Sequence, residues 1–332
     1  MSKIHVLDCT LRDGGYVNDW NFGDANAKEI VSLNASSGVD YVELAFIRLC
    51  DYVPNKMQFS EMSQISKIFR PSSVKLAAMV ELGYGYPASK FPEHSKETVD
   101  LVRLVTWSRT LNECHEYAKV LLDKGYEVAV QATRSDQYNE VEFGKLANLF
   151  SDLKLKALYI VDTFGLFTKG KLLTYGKILD ENIGEKTCIG YHAHNNMQQA
   201  FSNAVAFLEN KWNHDVFIDA SVMGMGRGAG NLCLELLEPY LNEKFNFKYN
   251  ESVLYETADR FITPFYKDSP WGYSIPYLLS AKNCVNPTYV PLVLEMGLNN
   301  MQISKVFSVM HERGEGIRFN ADYCKSIVNE LI

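Results

Sequence analysis

Four short stretches of this sequence carry side chains that do chemistry in combination. Arg12 and Asp13 stand side by side in "LDCTLRDGG", directly after the apolar residues Ile4, Val6 and Leu7. Glu43 lies inside "DYVELAF", Asp162 and Thr163 close "ALYIVDT", and a single residue separates His192 from His194 in "YHAHNN". Residues i and i+2 of a strand share a face, so both imidazoles can aim at one point. Two imidazoles plus a carboxylate form an open nitrogen-and-oxygen site for a divalent cation, and Asp13 is the natural third ligand. The competing reading is a pair of hydrogen-bonded histidines at a strand end. Beside a cation, the Arg12 guanidinium would stabilise an oxyanion developing on a substrate. Glu43 would hold Arg12 by a two-pronged hydrogen bond, or the two would be a structural ion pair closing the rim. Gly224, Gly226, Gly228 and Gly230 in "GMGRGAGN" either wrap backbone amides around an anion or make a tight turn, and the turn is preferred. Asn231 then caps the following helix or lends its side-chain oxygen to the metal.

For these groups to meet, their segments must be strands ending on one rim. Eight apolar runs qualify: "KIHVLDC", "DYVELAF", "VKLAAMV", "VDLVRLV", "YEVAVQA", "ALYIVDT", "CIGYHAH" and "DVFIDAS". The segments between them have helical character; Met197, Ala200, Phe201, Ala204, Val205 and Leu208 fall on one helical face. The first helix is expected from Asp24, as N-cap, to about Gly38, with Gly14 and Gly15 bending the chain before it. Strands rich in Val, Ile and Leu, each followed by a helix, imply a parallel sheet covered on both faces. Eight such units over roughly 240 residues match an α/β (β/α)₈ TIM barrel, with a doubly wound open sheet as the alternative. After Asn246 the pattern turns helical and aromatic, so residues 1–245 read as the barrel and 246–332 as a mostly helical C-terminal region packed on it. A barrel of this kind carries its site at the C-terminal strand ends. That is where Arg12, Asp13, Asp162, Thr163, His192 and His194 fall.

Composition narrows the function. The chain has 332 residues, 47% apolar and 22% charged, as a globular protein with ample core has. A net charge of −7 argues against nucleic acid as partner, and no polybasic run suits a membrane surface. No secretory h-region opens the chain and no run nears the roughly 20 apolar residues of a membrane span. Seven scattered cysteines without a CxxC pair suit reduced thiols, hence a cytoplasmic location.

Taken together, "LDCTLRDGG", the strand-two glutamate, "HAHNN" and "GMGRGAGN" resemble the DRE-TIM metallolyase superfamily, which includes 3-hydroxy-3-methylglutaryl-CoA lyase, 2-isopropylmalate synthase and 4-hydroxy-2-oxovalerate aldolase. The resemblance implies that Arg12, Asp13 and Glu43 are the signature triad. It makes Asp13, His192 and His194 ligands of Mg²⁺ or Mn²⁺, with Co²⁺ or Zn²⁺ as substitutes, and sets Asn231 near the metal. "GMGRGAGN" and "WGYSIPYLL" are similar to the 4-hydroxy-2-oxoacid aldolases, in which a Gly-Tyr segment reaches the pocket; this nominates Tyr273 as a substrate contact, beside Arg12 and Thr163.

Three departures qualify the resemblance. The aldolases carry a catalytic histidine three residues after the RD aspartate, where this chain has Tyr16. The glycine loop has Met225 and Arg227 in place of the cysteine of the HMG-CoA lyases, and the RDGEQ of the synthases reads RDGGY. The implied activity is metal-dependent cleavage of a 4-hydroxy-2-oxo acid into an aldehyde and pyruvate through the pyruvate enolate, or the reverse addition. Tyr16, with an ordinary pKa near 10, would need a neighbouring cation to act as base, and metal-bound water is the other candidate. Acyl-CoA Claisen chemistry and a non-catalytic metal-binding barrel subunit are the alternatives. The expected partners are a small 2-oxo acid and an aldehyde, with a homo-oligomer or a partner enzyme docking through the C-terminal region left open.

Overall fold

The computed structural model describes residues 2–69 and 74–332. Eight strands follow the eight apolar runs: β1 (Ile4–Asp8), β2 (Tyr41–Ile47), β3 (Lys75–Glu81), β4 (Leu101–Thr106), β5 (Glu127–Ala132), β6 (Ala157–Asp162), β7 (Cys188–Ala193) and β8 (Val216–Ala220). All pair in parallel, and β1 bonds to both β8 and β2, so the sheet closes into a barrel and the open-sheet alternative falls. A two-residue strand, Gln58–Phe59, adds to β2 outside the ring. The strands are buried nearly end to end because helices cover the outside while inward side chains fill the middle.

Three local expectations need correction. The first helix is α1 (Thr10–Asn18), and Gly14 and Gly15 lie inside it instead of bending the chain. Their role is close packing: a Cβ on Gly15 would stand 2.0 Å from Trp20 Cδ1, and one on Gly14 would stand 2.8 Å from Met225 Sδ. Packing here overrides the low helix propensity of glycine. In α2 (Asp24–Ser37) the N-cap is Gly23, with Asp24 in the first turn, and Gly38 ends the helix at φ 112°. Between β3 and β4 there is no α-helix, only a 3₁₀ turn at Ala88–Lys90. Pro87 and Pro92 flank that turn and deny it the backbone donors a longer helix needs.

One apolar cluster fills the space between barrel and helices and continues through Tyr249, Leu254, Phe261 and Ile262 to Trp271. A second, running from Val285 to Val328, belongs to the helices Tyr289–Glu295, Asn300–Glu312 and Ala321–Leu331. Packing therefore changes hands between Trp271 and Val285, later than the change of sequence pattern at residue 246. The helix Glu251–Thr257 stays with the barrel, and Thr257 Oγ1 bonds to Asn34 Oδ1 of α2 at 3.0 Å. No helix among the described residues is long and apolar enough to cross a membrane, and all seven cysteines are unpaired.

Candidate active site

Charged side chains close a ring at the C-terminal mouth of the barrel. Arg12 Nη1 donates to Asp13 Oδ1 at 2.7 Å, and Arg12 Nε donates to Glu43 Oε2 at 2.8 Å. The same Glu43 oxygen accepts from Arg103 Nη1 at 2.8 Å, and Arg103 Nη2 donates to Asp219 Oδ2. Asp219 Oδ2 accepts from His192 Nδ1 at 2.9 Å, and His192 Nε2 stands 3.5 Å from Asp13 Oδ2. Glu43 thus links two arginines by one oxygen instead of gripping Arg12 with both. Three carboxylates face two guanidiniums in this buried ring, leaving one negative charge in excess when His192 is neutral. Taking charge from water is costly unless it is compensated, so the ring favours a cation.

Asp13, His192 and His194 meet as the spacing of their motifs implied. One ligand atom of each lies within 4.8 Å of the others. Asp13 Oδ2 is buried and has no hydrogen-bond partner, with His192 Nε2 at 3.5 Å and His194 Nε2 at 3.8 Å. Each imidazole is oriented through its other nitrogen: His194 Nδ1 donates to the Asp162 carbonyl at 2.9 Å, while His192 leans on Asp219. Both Nε2 atoms therefore face the orphaned carboxylate oxygen, as ligating histidines do. The donor set and the unpaired oxygen fit a divalent cation.

Local electrostatics follow from these contacts. Burial opposes ionisation of Asp13, but Arg12 and the two histidines outweigh it and hold the carboxyl far below the usual range. Burial and the neighbouring His192 push His194 down to about 4, so it stands neutral at pH 7. Burial also disfavours charging His192, but Asp13 and Asp219 on either side raise its pKa.

The glycine run forms a turn, with Gly224, Gly228 and Gly230 at positive φ. Asn231 does not cap the helix Leu234–Phe245, whose N-cap is Cys233. Its backbone bridges to His194, its Nδ2 donates to Met225 O at 3.2 Å, and its Oδ1 is buried without a partner.

An inner pocket of about 100 Å³ is lined by Arg12, Asp13, Tyr16, Thr163, His192 and His194, among others. It continues into an outer chamber of about 690 Å³, the two sharing Tyr16, Glu81, Trp107, Thr163 and Arg227. Tyr16 follows Asp13 by three residues in α1, which sets both on one helix face. Its ring packs edge-on against Trp20, with the Arg227 guanidinium 5.3 Å from its centroid. Tyr16 is 37% exposed at the pocket mouth, and its partial burial raises its pKa against the opposite pull of Arg227 and Arg48. Arg227 therefore does not turn Tyr16 into a base. Thr163 Oγ1 accepts from Arg134 N at 2.8 Å. Tyr273 is not brought to the site: it lines neither space and is 50% exposed. Trp271, two residues earlier, anchors that segment by donating Nε1 to Met223 O, which leaves Tyr273 facing outward. The C-terminal residues at the chamber are Asn286, Pro287, Thr288, Ile317, Arg318 and Phe319.

Arg103, Asp219 and the chamber's arginines escaped sequence reading. The first two carried a signal, since a charge in the middle of "LVRLV" or "VFIDA" must find a buried partner.

A closed (β/α)₈ barrel with an Asp–His–His cluster and an arginine on its C-terminal rim defines a barrel protein with a candidate metal centre. The chain belongs to the HMGL-like family, whose model matches residues 3–259. It is similar to an oxaloacetate decarboxylase of Mycobacterium tuberculosis, 23% identical over 247 residues that cover 72% of this chain and 70% of the relative. It is likewise similar to a 4-hydroxy-2-oxovalerate aldolase of Geobacillus genomosp. 3, 25% identical over 248 residues, with 72% and 70% covered. Among solved structures, the N-terminal domain of a Bacteroides vulgatus protein described as an aldolase superposes with a TM-score of 0.70 at 25% identity, covering 87% of this chain and 96% of that one.

Proposed function

We propose that this chain is a divalent-metal-dependent carbon–carbon lyase of aldolase type, which cleaves a 4-hydroxy-2-oxo acid between C3 and C4 to an aldehyde and pyruvate, or joins the two. The observation that carries this reading is the buried, unpartnered Asp13 Oδ2 facing the Nε2 atoms of His192 and His194. Those three residues would hold Mn²⁺ or Mg²⁺, and Asn231, whose backbone bridges to His194, would lend its unpaired Oδ1 as a further ligand. A cation there supplies a Lewis acid that polarises a 2-oxo acid. Arg12, fixed by Glu43 and Asp13, offers its remaining Nη group to the oxygen on which enolate charge develops. The inner pocket, at about 100 Å³, is much smaller than the outer chamber and adjoins Asp13, His192 and His194, which suits it to the small 2-oxo-acid half of the substrate. Tyr16 keeps its proton at neutral pH, which fits its hydroxyl to donate to the aldehyde oxygen during addition and, in cleavage, to accept the 4-hydroxyl proton while passing its own to water. The unpaired thiols agree with a cytoplasmic setting.

Decarboxylation of oxaloacetate is the second reading. It passes through the same enolate and needs no base, and Tyr16 stands where the aldolases have their histidine. The outer chamber favours the aldolase, because departing CO₂ has no use for a further 690 Å³. The test is to supply Mn²⁺-loaded protein with a panel of 4-hydroxy-2-oxo acids and with oxaloacetate. Pyruvate and aldehyde formed one to one support the aldolase; CO₂ release with no turnover of the panel would replace it.

A further inference from the structure

We infer that the outer chamber recognises a phosphate ester carried on the aldehyde half of the substrate, an inference that rests on the aldolase reading above. Five arginines line this chamber, Arg48, Arg109, Arg134, Arg227 and Arg318, against a single carboxylate, Glu81. Such a concentration runs counter to a chain whose net charge is −7. Most of these guanidiniums are not spent on ion pairs. Arg48 Nη2 is 4.0 Å from Glu81, at the limit of an ion pair, and Arg134 pairs with Asp136 at 3.0 Å. Arg227 bonds only to the neutral side chains of Asn286 and Thr288, and Arg109 and Arg318 make no side-chain hydrogen bond or ion pair among the described residues. The Nε atoms of Arg134 and Arg227 are buried with no hydrogen-bond partner among the described residues. Guanidiniums at a cavity wall that face no carboxylate mark where an acceptor-rich anion sits.

The backbone points the same way. Arg134 adopts a left-handed conformation, φ 56° and ψ 50°, which a non-glycine residue holds only where its surroundings impose it. Its N–H is tied to Thr163 Oγ1, so the strained residue joins the inner pocket wall to the chamber. Stacking restrains two more of the arginines: Arg48 lies 3.8 Å from the Phe46 ring centroid, and Arg134 lies 5.0 Å from that of Phe164. Guanidiniums fixed this way match the oxygens of a phosphate, which they bind in a two-pronged manner. A chamber of about 690 Å³ lies within the range of sites that enclose ligands far larger than a two-carbon aldehyde. In the addition, pyruvate C3 bonds to the aldehyde carbon, and the proton lost from C3 is balanced by the one gained at the new 4-oxygen. No further reactant is needed, and the phosphate is a handle that does not react.

The experiment has a binding arm and a turnover arm, both on the full chain loaded with Mn²⁺. Calorimetry compares glycerol 3-phosphate, glycerol and coenzyme A. Pyruvate consumption compares glyceraldehyde 3-phosphate with glyceraldehyde. The expected result is binding of glycerol 3-phosphate but not glycerol, weakening with salt. The kcat/KM for glyceraldehyde 3-phosphate should exceed that for glyceraldehyde by about a hundredfold, and Arg109→Gln and Arg318→Gln should each lower that ratio about tenfold. Both arginines are exposed, and equal melting temperatures would show that the variants fold. Phosphate binding that the variants abolish, with neither aldehyde turned over, would support the phosphate site and overturn the aldolase reading instead. Equal kcat/KM for the two aldehydes, or binding of coenzyme A without glycerol 3-phosphate, overturns the inference.

Discussion

Asp219 Oδ2 lies 2.9 Å from His192 Nδ1, and the same oxygen accepts from Arg103, so one buried carboxylate orients a candidate ligand and neutralises a buried cation. Its other oxygen accepts from Tyr159 at 3.0 Å, which leaves Asp219 no freedom to turn. Groups that orient a ligating histidine usually matter to metal affinity by about 10–100-fold. Asp219→Asn should weaken Mn²⁺ binding by about that factor, measured by the loss of the free-ion paramagnetic resonance signal on titration. Unchanged affinity would show that Asp219 serves only Arg103.

Arg12→Lys keeps a positive charge but cannot span Glu43 and Asp13 while presenting a third donor to substrate. Turnover should fall by about 10²–10³, the usual effect of removing one oxyanion donor, with a much smaller change in KM. Steady-state kinetics on the best 4-hydroxy-2-oxo acid provide the check. A raised KM at constant turnover would make Arg12 a clamp on the ground-state carboxylate.

Tyr16→Phe removes the hydroxyl of a residue that lines both the inner pocket and the outer chamber. If that hydroxyl relays the proton of the 4-oxygen, turnover should drop by about 10²–10⁴ while Mn²⁺ affinity stays the same. Tyr16→His, which restores the residue of the resembling aldolases, should retain activity. Near-native turnover in Tyr16→Phe would assign proton transfer to water.

Glu238 sets a pH dependence of stability away from the site. Burial raises its pKa from about 4.5 to about 8, Ser37 Oγ donating to Oε1 at 2.7 Å while Oε2 has no partner. The folded chain thus binds a proton that the unfolded chain has lost between those values. Its stabilising contribution is whole below about pH 4.5 and is lost as pH rises through about 8. The slope cannot exceed about 1.4 kcal/mol per pH unit. Urea midpoints from pH 5 to 9 should show wild type losing stability relative to Glu238→Gln as pH rises. A difference that stays constant with pH would contradict the assignment.

The strands and the meeting of His192 with His194 were legible because each rested on a local pattern. An uninterrupted apolar run marks a strand buried on both faces, and His192 and His194 share a face through strand period alone. Partnerships across the barrel left no such trace: Arg103 meets Glu43 60 residues away and Asp219 116 residues away. The Gly14–Gly15 pair reads as a helix breaker until Trp20 and Met225 are seen against it. Net charge concealed the arginine chamber, whose members are scattered from Arg48 to Arg318 and gather only in the fold. Tyr273 was nominated by resemblance, and the Trp271 anchor turned it outward.

The most direct test of the metal centre is the anomalous scattering of manganese in crystals grown with Mn²⁺. The expected result is one peak per chain, about 2.0–2.3 Å from Asp13 Oδ2 and the Nε2 atoms of His192 and His194, lost in Asp13→Ala. A cluster of His5, Cys188 and Asp215, elsewhere in the chain, offers three more ligand atoms within the same 4.8 Å limit and serves as an internal comparison. A peak there with none at Asp13, or no peak at either place under saturating Mn²⁺, would contradict the proposed function at its root.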